Sequence, residues 1–357
     1  MTITADTSAS HERAIIPTRA WRSDDAMSSQ TPLLSIRNLV VETGEPENPT
    51  RLVDGFSLDL AASDRVALVG ESGSGKSVTA RAIMRLDAGF DYSGEISFNG
   101  RNLLALPEKE MVAVRGHEIG MVFQDPMGAL NPLMTIGDQI AEPLRVAGVG
   151  KGEARRRVEA VLDELGVANA AKRMRAYPHE FSGGMRQRVV LAMALVSEPA
   201  LIIADEPTTA LDVRVQEQVL TLLDKVSRDR GLAVLLITHD LATVAGFTDR
   251  VAVMYSGRKV DEASVDSLFV EPAHPYTQGL LQAVPRIDQT VRRLLTIPGA
   301  PPHPANRPTG CAFHPRCPKA FDLCSTSQPE LRVSPNGGRV ACHLYPIPST
   351  TTEEVVR

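Results

Sequence analysis

Gly70-Glu71-Ser72-Gly73-Ser74-Gly75-Lys76-Ser77 follows directly on the apolar run Val66 to Val69. It matches G-x-x-x-x-G-K-S/T, the loop that wraps the phosphates of a nucleoside triphosphate, and the spacing predicts a strand, this loop and then a helix. Gly70, Gly73 and Gly75 let successive backbone N–H groups turn inward around phosphate oxygens, with Ser72 and Ser74 between them, and the positive end of the following helix adds to the attraction. Lys76 is expected to reach the β- and γ-phosphates and the Ser77 hydroxyl to ligate magnesium. A glycine-rich surface turn is the bland alternative. By average residue usage the pattern arises by chance in roughly one chain in a hundred of this length.

Working outward, Leu201-Ile202-Ile203-Ala204 leads into Asp205-Glu206. A buried strand here would deliver two carboxylates to the carboxyl edge of a sheet, where nucleotides bind. Asp205 is expected to hold magnesium through its water shell, and Glu206, facing differently, to polarise an attacking water. An acidic pair at a strand end also caps many helices. Its register with the phosphate loop favours the chemical reading.

The chain has 357 residues, 43% hydrophobic and 23% charged, with a formal net charge of −5. That is ordinary for a globular protein, and bulk charge implies no nucleic-acid partner. Its longest apolar runs, Val189 to Val196 and Leu232 to Ile237, fall well short of the roughly 18 residues that a membrane helix needs. Residues 1–32 carry Arg13, Arg19 and Arg22 without an apolar core, so they read as a disordered extension and not as a secretory signal. Met27 offers a second start.

Strands are expected at Leu33 to Val41, Phe56 to Leu60, Arg65 to Val69 and Ile96 to Phe98, giving an antiparallel patch beside the phosphate-loop strand. After a strand at Ile119 to Phe123, a helical insert spans about 127–195, with a charged helix near Arg155 to Leu165. Arg155, Arg156 and Arg157 lie among Glu153, Glu159, Asp163 and Glu164, which reads as a solvated face. Unalternating runs at Leu201 to Ala204, Leu232 to Ile237 and Val251 to Met254 suit a parallel sheet buried on both faces. Beyond about residue 265 prolines crowd, from Pro272 to Pro318, predicting a linker and a small irregular module.

Between the two acidic and glycine-rich sites stands Phe181-Ser182-Gly183-Gly184-Met185-Arg186-Gln187. Here the chain resembles the ATP-binding cassette (ABC) family, whose signature begins L-S-G-G-Q; Phe181 and Met185 depart from it. Ser182, Gly183 and Gly184 would open a helix whose free N–H groups grip a γ-phosphate. By the same resemblance Gln124 looks like the Q-loop glutamine and a further magnesium contact, Ala210-Leu211-Asp212 like the D-loop and His239 like the switch histidine. The resemblance implies an α/β P-loop cassette that hydrolyses ATP with Mg2+. It places two such subunits head to tail, so that Ser182 and Gly184 meet the partner's ATP. The family stacks adenine on an aromatic between its first two strands, and residues 42–55 contain none. Arg51 or Val53 is left for base contact, with Phe56 expected in the core.

Asp125-Pro126-Met127-Gly128-Ala129-Leu130-Asn131-Pro132, His274-Pro275-Tyr276-Thr277 and Ile297-Pro298-Gly299 look like the ATPase subunits of bacterial oligopeptide and dipeptide importers. That likeness implies a second ATPase subunit (paralogue or self), two transmembrane permease subunits and an extracytoplasmic binding protein, at the cytoplasmic face of the membrane. Importers of nickel, glutathione or another small solute, and a soluble non-transport cassette ATPase, are the alternatives. All four cysteines, Cys311, Cys317, Cys324 and Cys342, fall in the C-terminal part. In a reducing compartment this clustering favours a metal site over disulfides, with zinc, an iron–sulfur cluster, free thiols, or His314 or His343 in place of one cysteine all compatible with the spacing. The family resemblance implies a 4Fe-4S cluster. The expected organisation is therefore an extension at 1–32, an ATP-binding domain at 33–265, an importer-type extension at 266–346 and a tail at 347–357.

Overall fold

The computed structural model describes residues 31–45, 47–125, 128–208, 212–284 and 296–345. The expected N-terminal extension, up to residue 30, and the C-terminal tail lie outside the described residues. The first strands are β1 (Leu34–Thr43), β2 (Thr50–Leu60) and β3 (Arg65–Val69), followed by β4 (Asp91–Phe98) and β5 (Arg101–Asn102). Among the described residues β2-β1-β4-β5 form an antiparallel sheet, with Ile36 opposite both Leu58 and Ile96. Apolar side chains at every second position of β1 and β2 turn one face of that sheet inward.

The second sheet is built on β3 with β6 (Ile119–Val122), β7 (Leu201–Asp205), β8 (Ala233–Thr238), β9 (Arg250–Tyr255) and β10 (Arg258–Ser264). Two short strands, β11 (Arg332–Val333) and β12 (Arg339–Val340), complete it in the order β11-β12-β10-β9-β3-β8-β7-β6. Strands β9, β3, β8, β7 and β6 run parallel, so their carboxyl ends share one edge. Every residue of β3, β7, β8 and β9 is buried, as unalternating apolar runs require when both faces are covered.

One face packs Leu68, Leu201, Ile203, Leu235 and Ile237 against Ile36, Phe56 and Phe98 of the antiparallel sheet and against Ile83 of α1 (Lys76–Ile83). The opposite face packs Ile202, Ala204 and Leu236 against α2 (Lys151–Glu164), α3 (Gly183–Leu195) and α4 (Val213–Arg230). The expected charged helix is α2, starting four residues earlier than read. Its arginines face water, with Arg157 Nε donating to Glu153 at 2.9 Å. Next comes α5 (Leu241–Phe247). Among the described residues no helix is long and apolar enough to cross a membrane.

Among the described residues, the segment directly beyond residue 265 is helical rather than a linker. Helices α6 (Val265–Val270) and α7 (Pro275–Gln282) pack directly on β9, and Leu268, Tyr276 and Phe313 share a core with Val69, Val251, Val253 and Tyr255. The prolines misled because Pro275 sits at the first position of a helix, where its missing N–H costs nothing. Strand β12 pairs with β10, Val340 opposite Asp261.

Asp261 fastens this junction. Its buried carboxylate accepts from the His274 N–H at 3.0 Å and the Thr277 hydroxyl at 2.8 Å. Burial nonetheless pushes its carboxyl from the ordinary 3.8 up to about 6. Between these values the folded state holds a proton that the unfolded chain releases, so this group's contribution to stability falls as pH rises through the window. At about 1.4 kcal/mol per pH unit the loss is about 3 kcal/mol. Asp261→Asn is therefore expected to gain thermal stability over the parent as pH rises from 4 to 7, and a difference in melting midpoint that stays flat across that range would contradict it.

Candidate functional site

The phosphate loop leaves β3 at Val69 and enters α1 at Lys76, as its spacing requires. A Cβ on Gly70 would stand 2.2 Å from the Met254 carbonyl oxygen. Gly75 has φ +103 and is the N-cap of α1, with no side chain satisfying the helix's first N–H groups. Those N–H groups are therefore open to an anion. The buried Lys76 ammonium donates to the Gly70 carbonyl at 2.7 Å, the Glu71 carbonyl at 2.9 Å and Ser74 Oγ at 3.4 Å. Burial lowers its pKa, opposed by the carboxylates of Glu206, Asp205 and Glu71.

Ser77 Oγ donates to Asp205 Oδ1 at 2.8 Å, which brings two hard oxygen donors together at the end of β7. Burial raises the Asp205 carboxyl, a cost that a cation held beside it would offset. This pair fits a magnesium ion by donor type, since Mg2+ takes oxygen ligands and keeps much of its water.

Glu206 has φ +47, a left-handed conformation that a non-glycine residue adopts at some strain, of a kind concentrated at functional sites. Its N–H donates to the Ile237 carbonyl at 2.9 Å. Its carboxylate lies between Gln124 Nε2 at 3.0 Å and His239 Nδ1 at 3.1 Å. Three residues chosen one by one from the sequence, at the ends of β6, β7 and β8, thus form one hydrogen-bonded string.

Ser182 is the N-cap of α3, Gly183 and Gly184 form its first turn, and no side chain caps the helix. Phe181 is explained by packing: it is buried in the helical core with the Arg173 guanidinium 5.4 Å over its ring. Met185 lies at the margin of the same core. These residues sit with the helical layer, apart from the Lys76–Asp205 core. Gln187 links the two, its buried amide donating to the Pro207 carbonyl just beyond Glu206. Gln187 belongs to no functional motif of the sequence, and its only sign there is an amide among the apolar residues of α3. Asp212 caps α4, accepting from the Val215 N–H at 3.0 Å; Ala210, Leu211, Pro126 and Met127 lie outside the described residues. Of the two candidates for base contact, Val53 is fully buried in the core and cannot meet a base, as Phe56 cannot. Arg51 is exposed, with Nε 2.7 Å from Glu42.

The four cysteines are free thiols lining one small apolar cavity together with His274, His314 and His343. Burial raises the thiols of Cys311 and Cys317, and that of Cys342 to about 11. His314 and His343 each place a ring nitrogen on a backbone carbonyl, at 2.9 and 2.8 Å. Among the described residues no group of three or more His, Cys, Asp or Glu is gathered tightly enough to grip a metal ion. Thiols are soft donors by type, but here they share the cavity with three histidines, Phe313, Lys319 and Leu344.

Comparison with known proteins matches two regions of the chain. Residues 53–209 match the family described as ABC transporter, and residues 260–324 match the oligopeptide/dipeptide transporter, C-terminal region. The chain is 47% identical over 317 residues to the oligopeptide transport ATP-binding protein OppD of Salmonella typhimurium, covering 88% of this chain and 94% of that one. It is likewise 47% identical to the oligopeptide transport ATP-binding protein AppD of Bacillus subtilis, covering 88% and 97%. Among solved structures it resembles an ATP-binding cassette in a dimeric post-hydrolysis state bound to ADP and Pi, with a TM-score of 0.58, 28% identity and coverage of 65% and 98%. It also resembles cbiO1 from Clostridium perfringens, part of the ABC transporter complex cbiONQ, with a TM-score of 0.60, 26% identity and coverage of 68% and 92%.

Proposed function

Because this chain belongs to the ABC transporter family, in the branch that carries the oligopeptide/dipeptide transporter C-terminal region, we propose that it is the ATP-binding and hydrolysing subunit of a peptide importer. The observation that carries the reading is the shared sheet edge on which Lys76, Ser77, Asp205 and the Gln124–Glu206–His239 string converge.

In this reading the glycine loop and the open N–H groups of α1 receive the triphosphate, and Lys76 exchanges its loop carbonyls for β- and γ-phosphate oxygens. Ser77, Asp205 and Gln124 would hold Mg2+, which when bound neutralises phosphate charge. Glu206 accepts the proton of the attacking water, while Gln124 and His239 orient its carboxylate. His239 also braces the γ-phosphate. Ser182, Gly183 and Gly184, carried on a separate layer, serve the ATP of a second ATPase subunit, with Asp212 at the same junction. Binding then closes the pair, and hydrolysis reopens it, a two-state change that permease subunits convert to transport. The chain acts at the cytoplasmic face of the membrane, held by two permease subunits that an extracytoplasmic binding protein supplies with peptide. Affinity purification from membranes is expected to recover permease subunits, and recovery with ribosomes or DNA alone would overturn the assignment.

The organisation accompanying this reading is an ATP-binding domain over 33–265 and an importer-type extension over 266–346. In the extension, Cys311, Cys317, Cys324 and Cys342 would hold a 4Fe-4S cluster, which when bound cross-links this apolar-poor segment. Anaerobically purified protein is then expected to carry about four iron atoms per chain with visible absorbance. Cys317→Ser is expected to lose both and to expose residues 305–345 to protease while MgATP binding persists. Colourless wild-type protein with zinc in place of iron would contradict the cluster.

A further inference from the structure

Glu71, the first variable residue of the phosphate loop, is held on three sides. Its N–H donates to the Tyr276 hydroxyl at 2.7 Å, and its carbonyl accepts from Lys76 Nζ at 2.9 Å. Its carboxylate receives the Arg316 guanidinium in a fork, Nη1 at 2.7 Å and Nη2 at 3.0 Å. Two of these three partners come from beyond residue 265, more than 200 positions along the chain. Neither belongs to the hydrolytic string.

Arg316 is itself over-determined. Its Nε donates to the Pro298 carbonyl at 2.9 Å, Nη1 to the Tyr255 hydroxyl at 3.2 Å, and its guanidinium lies 5.8 Å over the Tyr255 ring. Tyr255 packs edge-on against Tyr276 and Phe313, with ring centroids 4.7 and 5.2 Å away. Only 6% of the Arg316 side chain is exposed, against 26% for Glu71. A bidentate, largely buried guanidinium–carboxylate pair fixes geometry as well as charge, and Arg316 immediately precedes Cys317 in a one-turn helix.

We propose that Arg316, with Tyr276, is a positioning residue for the phosphate loop, setting Glu71 so that the loop is shaped for a triphosphate and linking ATP affinity to the cysteine-lined module. This rests on the reading of Gly70–Ser77 as an ATP site. Lys76 bonds the Glu71 carbonyl, so any shift of Glu71 moves the anchor of the lysine that must release to phosphate. Arg316→Gln would keep the size and much of the hydrogen bonding but lose the fork and the charge.

The test is MgATP affinity and the KM-against-kcat split in the full chain, measured well below each variant's melting midpoint. Arg316→Gln is expected to raise both Kd and KM for MgATP about tenfold, one decade corresponding to a single lost charge-assisted bond, with turnover at saturating ATP changed less than twofold. Arg316→Lys should recover part of the affinity. Glu71→Gln should weaken binding by a similar factor, and the double variant should bind no worse than either single one, because both remove the same interaction. Unaltered affinity in Arg316→Gln, or additive losses in the double variant, would overturn the proposal while wild-type binding stood. Failure of the wild type to bind MgATP would instead remove the ATP-site reading on which it depends.

Discussion

Replacing Glu206 by glutamine is expected to lower steady ATP turnover about 10²- to 10⁴-fold, the range lost with a general base, while MgATP binding stays within a few-fold. The side chain sits at the end of a fully buried strand in a left-handed backbone conformation. Its carboxylate is gripped at 3.0 Å by Gln124 and at 3.1 Å by His239. Glutamine preserves the length and can still accept from Gln124, so the string and the fold should persist. What it removes is the ability to take a proton from water. Phosphate release by the purified transporter complex, beside equilibrium binding of MgATP, separates the two effects. Turnover equal to wild type would mean that Glu206 is an architectural residue, and a parallel loss of binding would mean that it holds nucleotide instead.

Lys76→Ala is expected to weaken MgATP at least 100-fold. A charge-assisted hydrogen bond contributes about 1.5–3 kcal/mol, and this ammonium is positioned to make more than one to phosphate. Burial lowers its pKa, opposed by the nearby carboxylates of Glu206, Asp205 and Glu71, and the side chain stands in a place shielded from water. Alanine also frees the Gly70 and Glu71 carbonyls that the ammonium now ties down, so the loop loses its internal brace. Nucleotide titration followed calorimetrically checks this, with the melting midpoint as control. Retention of wild-type affinity would sink the role given to Lys76.

Much of the site was legible because its motifs are local. The octapeptide at Gly70–Ser77 and the acidic pair at Asp205-Glu206 each fit within one strand end, and unalternating apolar runs placed their strands. Gln124 and His239 were bland alone, and only the sheet order β8-β7-β6 shows why they share a carboxylate. Contacts between distant segments were not legible. Nothing near Glu71 in sequence signals Arg316 or Tyr276, and the prolines from Pro272 onward suggested a linker starting near residue 265, where Leu268 and Tyr276 are core residues. Val53 offered itself for base contact only because the alternation of β2 was read from Phe56 onward; the strand begins at Thr50 and turns Val53 inward. The spacing of the cysteines left their arrangement open, and their common cavity needed the pairing of β12 with β10 that carries Cys342 alongside.

The most direct test of the central claim is an equilibrium titration of MgATP against the purified Glu206→Gln chain, in which hydrolysis is too slow to deplete the ligand during the titration. One nucleotide bound per chain, competed by ADP and abolished when Lys76→Ala is added, is the expected result. No saturable binding, or binding indifferent to Lys76, would contradict the account.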